Sequence, residues 1–155
     1  MIIILLSSFL LGRSYSKYLD KGLGELEGFL ELLVYMRGKV VCYLEPAFVW
    51  QGGFSNEWLE RCGFIPALRE NGSLRGAYKA VHGRLSVPNE AEKVLSDFFS
   101  RTGKGYLDSE IKNLDYTVER LDKLCERMRT GLPGRRRVMN ASLTALGLGL
   151  AILVI

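Results

Sequence analysis

Leucine returns at alternating steps of four and three after residue 18, at Leu19, Leu23, Leu26, Leu30 and Leu33. That spacing lays one apolar stripe along a helix, and Phe29 and Val34 widen it into a core-facing surface. The same rhythm recurs late in the chain at Ile111, Leu114, Val118, Leu121, Cys125 and Met128. Between them Lys112, Asp115, Glu119, Asp122, Lys123 and Glu126 supply the solvated face. The first helix is predicted to stop before Pro46, because the residue preceding proline avoids helical backbone. The second is predicted to open on an Asp108 or Ser109 cap and to end at Gly131, with Pro133 and Gly134 re-aiming the chain. Gly22, Gly24 and Gly28 each weaken the first helix by about 1 kcal/mol relative to alanine; glycines in such a helix mark close approach by a neighbour. Two stripes of similar length and spacing are natural antiparallel partners.

Three shorter helices are expected between them. Residues 55–64 read as one capped by Ser55, with Glu57 and Glu60 in its first turns. Residues 72–85 read as another, weakened by Gly76 and Gly83. Residues 86–103 start at Ser86 or Asn89 near Pro88 and bury Val94, Leu95, Phe98 and Phe99. No stretch alternates as a strand does, so the fold class is all-α, a helical bundle of five or six helices.

The two ends change the picture. All charged residues lie between Arg13 and Arg137, leaving an uncharged apolar segment at each end. As a helix, residues 138–155 would rise about 27 Å, close to the ~30 Å of a hydrocarbon core. Asn140, Ser142 and Thr144 are polar but neutral and sit near the arginine end. The first twelve residues cover only about 18 Å, and a span is completed through Tyr15, Tyr18 and Leu19 with Arg13 and Lys17 snorkelling to the interface. The expected division is therefore a membrane segment over 1–19, a helical bundle over 20–134, and a transmembrane helix over 135–155.

Charge then sets orientation. Arg13, Lys17 and Lys21 follow the first apolar run, and Arg127, Arg129, Arg135, Arg136 and Arg137 precede the second. Both basic flanks face the middle segment, so the positive-inside rule places the bundle in the cytoplasm and both termini outside. The formal net charge is +4, but residues 22–126 hold 13 Lys plus Arg against 16 Asp plus Glu. That middle has no cationic surplus for nucleic-acid phosphates. The basic flanks are instead suited to anionic lipid. In the last segment Ala141, Ala145 and Gly149 fall four apart, a spacing that lets helix backbones approach in lipid.

Candidate chemistry is sparse. One histidine, His82, and three cysteines, Cys42, Cys62 and Cys125, form no C-x-x-C pair and no metal-ligand spacing. Cys125 falls on the apolar stripe and reads as core. The glycine pairs at Gly103–Gly105 and Gly147–Gly149 lack the surroundings of a phosphate or dinucleotide loop. No catalytic residue, metal or cofactor is assigned.

Residues 136–155, "RRVMNASLTALGLGLAILVI", pair basic residues with a leucine- and glycine-rich run ending in aliphatics. Residues 95–111, "LSDFFSRTGKGYLDSEI", set an aromatic helix before a glycine turn and a long amphipathic helix. With residues 23–48 these segments resemble the stage III sporulation protein AB family. That resemblance implies a helical bundle similar to the inner-membrane platform protein of type II secretion. It implies a scaffold in a secretion-like channel complex between mother cell and forespore, on the mother-cell side. Its implied partners are other membrane subunits of that complex, a secretion-type ATPase and the lipid bilayer, with self-association left open. Two other classes stand beside it: a membrane-anchored enzyme in which His82 meets Cys62 or Cys42, and a pore-forming protein.

Overall fold

The structure, a computed structural model, describes the backbone of residues 2–43, 53–104 and 106–153; side chains at 2–6, 8, 9, 41–43, 107, 147, 148 and 150–153 fall outside the description. The expected stop before Pro46 and the Cys42 thiol lie outside the described residues. Among the described residues the fold is all-α: α1 (Ile2–Tyr43), α2 (Glu57–Arg61), α3 (Phe64–Asn71), α4 (Leu74–Val81), a 3-10 turn (His82–Arg84), α5 (Asn89–Arg101) and α6 (Leu107–Leu153).

The long helices α1 and α6 pack against each other, antiparallel. Three ion pairs fix the register: Arg37 with Asp115 at 2.5 Å, Arg129 with Glu27 at 2.7 Å, and Arg136 with Asp20. Residue numbers rise on one helix as they fall on the other, over about 25 Å of axis at ~1.5 Å per residue. Leu19, Leu26 and Leu33 are buried and Leu23 and Leu30 half-buried on α1. On α6 Leu114, Leu121 and Cys125 are buried and Ile111, Val118 and Met128 half-buried. The buried face is wider than either stripe, because Phe29, Leu32 and Met36 join it from α1 and Thr117, Leu124 and Leu132 from α6. Val34 is exposed and does not belong to it.

The four short helices close over this pair. Phe29 of α1 meets Phe64 of α3, Tyr78 of α4 and Phe99 of α5 at ring-centroid distances of 5.1, 6.2 and 6.1 Å, all edge-to-face. Val94, Leu95, Phe98 and Phe99 are buried, so α5 presents its apolar side to the core.

Four boundaries differ from the sequence reading. First, α6 does not end at Gly131; it continues through Pro133 to Leu153. Proline removes the bond to the carbonyl of Arg129, but Pro133 lies on an exposed face where water replaces that donor. Arg129–Glu27 before it and Arg136–Asp20 after it tie both sides of the proline to α1. Second, α2 is capped by Asn56 rather than Ser55: its Oδ1 accepts from the N–H groups of Trp58 and Leu59 at 3.0 and 3.2 Å. Third, the segment after Cys62 is a separate helix, α3. Gly63 turns the chain at φ 88°, and Pro66 falls in the first turn of α3, where its missing N–H costs nothing. Fourth, α6 begins at Leu107, so Asp108 and Ser109 lie inside its first turn rather than at its cap.

Candidate functional site

The base of the α1–α6 pair carries the basic flank and the small-residue face that sequence singled out, while the helix seam runs on through the bundle. α1 is continuous from Ile2 and α6 to Leu153, so both run beyond the bundle at the same end. They stay in contact there: a Cβ on Gly12 would stand 3.1 Å from Asn140 Oδ1 and 3.3 Å from Leu143 Cδ1. Leu10, Leu11, Tyr18, Val138 and Leu146 are more than half exposed along this stem. Among the described residues, no helix is long and apolar enough to cross a membrane.

The basic flank divides into two kinds of cation. Arg136 is half-buried and ion-paired with Asp20. Lys21 reaches the buried carboxylate of Glu25 at 3.5 Å. Arg13, Lys17, Arg135 and Arg137 are exposed and have no carboxylate partner among the described residues. These four surround the stem where it leaves the bundle. Ala141, Ala145 and Gly149 are also exposed, and a Cβ on Gly149 would meet nothing within 4 Å. The small-residue face of α6 therefore looks away from α1.

Of the two cysteines that could meet His82, the Cys42 thiol lies outside the described residues, and Cys62 and His82 are each engaged elsewhere. The Cys62 thiol donates to the carbonyl of Leu59 at 3.5 Å, while His82 Nδ1 stands 3.4 Å from Glu92 Oε1. Burial pushes the Cys62 thiol above its ordinary range, which keeps it protonated and a poor nucleophile. Burial also raises Cys125, to about 11. Both are free thiols, and no group of metal-ligating side chains gathers among the described residues. A cleft of about 280 Å³ between α4 and α5 has Arg75, Lys79, His82 and Lys104 in its lining, beside Tyr78 and Phe99. Arg75 is spent there on the carbonyls of Phe99 and Ser100 at 3.3 and 2.7 Å, closing the last turn of α5.

One buried group gave no signal in the sequence. Glu25 is fully buried on α1, and its Oε2 accepts from the backbone N–H of Ser86 at 2.6 Å. This carboxylate pins the linker between α4 and α5 onto the long helix. The three glycines around it do what their position implied: a Cβ on Gly22 would collide with the Ser86 carbonyl, one on Gly24 with the Trp58 ring, and one on Gly28 with Asn56 Oδ1. Only hydrogen side chains let α2 and that linker lie so close to α1.

Comparison of the chain with protein-family models, with curated proteins and with solved structures gives no match.

Proposed function

We propose that the chain is a non-enzymatic scaffold of a membrane-embedded, secretion-like complex. Its bundle faces the cytoplasm, and the two ends of the α1–α6 pair enter the bilayer side by side. One observation carries this reading. At one end of the bundle Leu10 and Leu11 of α1 and Val138 and Leu146 of α6 are exposed, and beside them stand Arg13, Lys17, Arg135 and Arg137, which have no carboxylate partner among the described residues. Apolar side chains left in water cost free energy roughly in proportion to their area, and a hydrocarbon phase removes that cost. Cations at the boundary meet anionic headgroups. A transmembrane helix at each end is part of this proposal, as is the division at residues 19 and 134.

The assignment to a sporulation channel, with a secretion-type ATPase and further membrane subunits as partners, rests on the resemblance of residues 23–48, 95–111 and 136–155 to the stage III sporulation protein AB family. Among the described residues Cys62 and His82 face different partners, which weighs against the enzyme alternative built on that pair. The test is purification of the tagged full chain in mild detergent from washed membranes. Recovery of a secretion-type ATPase with the wild-type chain is expected. Its recovery should drop in a strain whose chain lacks residues 138–155. A chain that leaves the membranes in an alkaline carbonate wash would contradict the reading.

A further inference from the structure

We propose that the groove between α1 and α6 at the foot of the bundle binds one anionic phospholipid, with its phosphate on Arg135 and an acyl chain along Val138 and Met139. The inference rests on the membrane reading above and adds the ligand class and the residues that select it.

The groove is open and about 500 Å³ in volume. Arg135, Val138, Met139 and Ser142 line it from α6 at positions i, i+3, i+4 and i+7, which is one continuous helix face. Tyr15 of α1 forms part of the lining, and Gly134 leaves the upper end clear because a Cβ there would meet nothing within 4 Å.

Three features select a lipid over other occupants. The first is the order of polarity along the axis. The guanidinium of Arg135 lies at the bundle end, and the apolar Val138 and Met139 lie about one turn further along the stem. A phospholipid has the same order, charge first and hydrocarbon after. The second is electrostatic. Arg129 and Arg136 are paired with Glu27 and Asp20, whereas Arg135 has no carboxylate partner among the described residues. With Asp20 taken by Arg136, the Arg135 guanidinium is left open to an anion from outside. The planar fork of an arginine suits the two free oxygens of a phosphodiester. The third is the lining itself. A tyrosine at the level of the basic flank has the amphipathic character that settles at headgroup depth.

The test uses the full chain in nanodiscs of phosphatidylcholine containing a minority of phosphatidylglycerol that carries a photoreactive group on its acyl chain. Adducts are mapped by mass spectrometry, and lipid retained after detergent transfer is counted. Phosphatidylglycerol should be retained over phosphatidylcholine, with adducts at Val138 and Met139. Arg135→Gln should lower that retention by roughly tenfold, the usual scale for a charged hydrogen bond. Arg137→Gln, outside the groove, should change it little. Gly134→Leu should abolish the adducts by filling the upper end while keeping a good helix former in α6. Equal losses from Arg135→Gln and Arg137→Gln would mean a diffuse surface charge and would overturn the proposal. Protein–protein adducts through Val138 or Met139 would assign the groove to a second copy and overturn it as well. A chain that never enters the nanodiscs would bring down the membrane reading itself, and the lipid site with it.

Discussion

The carbonyl oxygen of Ser86 lies so close to Gly22 that a Cβ on that glycine would stand 2.3 Å from it. The next residue to touch Ser86 is Glu25, which accepts its N–H one turn further along α1. The linker between α4 and α5 is thus bonded to α1 through the Ser86 N–H, and the Ser86 carbonyl lies where only a glycine leaves room. Both contacts set how the short helices sit on the long pair.

Gly22→Ala should therefore destabilise the protein by about 1–3 kcal/mol, the usual range for overpacking, because a backbone carbonyl cannot swing aside. Helix propensity alone predicts the opposite sign, a gain of about 1 kcal/mol. Gly38→Ala, where a Cβ meets nothing within 4 Å, should show that gain. Thermal melts of the full chain followed by circular dichroism separate the two. If Gly22→Ala were as stabilising as Gly38→Ala, the close approach would be wrong.

Removing the carboxylate at Glu25 strands the Ser86 N–H in a buried site. Glu25→Ala should cost about 1–3 kcal/mol, while Glu25→Gln keeps an acceptor oxygen and should cost less. Hydrogen exchange at the Ser86 amide gives an independent readout. Exchange should quicken sharply in Glu25→Ala and stay slow in Glu25→Gln.

The register of the long pair predicts a contrast on α6. Leu121 is fully buried, and Leu121→Ala should cost about 2–5 kcal/mol, a large share of the ~5–15 kcal/mol that holds a domain together. Glu119 is exposed and pairs with Lys123, whose hydrogen bond lowers its pKa. Glu119→Ala should leave the denaturation midpoint unchanged within error. Similar midpoints for the two variants would remove Leu121 from the core.

The buried Cys125 thiol gives a dependence on pH. Burial raises it from 9.0 to about 11, so between those values the unfolded chain releases a proton that the folded chain keeps. The unfolded state then binds fewer protons, and stability falls as pH rises through this window. The difference in stability between wild type and Cys125→Ala should therefore shrink from pH 8 toward pH 11. A difference that stayed constant, or grew, would contradict the protonated thiol.

The stripes were legible because period is a property of sequence, and Leu26, Leu33, Leu114 and Leu121 are buried where it put them. The aromatic side of α5 was legible for the same reason. Capping was legible only in chemistry: Ser55 and Asn56 both cap well, and only the backbone decides which side chain reaches Trp58 and Leu59. The sequence reading places no element over residues 65–71, and there Pro66 sits in the first turn of α3, a place where proline is tolerated although it breaks a helix elsewhere. Pro133 misled in the opposite sense, since the ion pairs that carry α6 across it come from Glu27 and Asp20, about a hundred residues away in sequence. Glu25 gave no warning, because nothing local marks which carboxylate of an amphipathic helix will meet a distant N–H. At the base of the bundle, the sequence named the cations but not which were paired. It named Ala141, Ala145 and Gly149 but not that they face away from α1.

The central claim is that the α1–α6 pair carries the bundle on the cytoplasmic side of a membrane. The direct measurement is labelling of a single cysteine at Asn71, an exposed residue at the end of α3, in a chain with its native cysteines replaced by alanine. A membrane-impermeant maleimide is applied to intact cells and to permeabilised ones. The account predicts a membrane-bound chain that is unlabelled in intact cells and labelled once they are opened. Labelling of Asn71→Cys in intact cells would put the bundle on the outer face and contradict it.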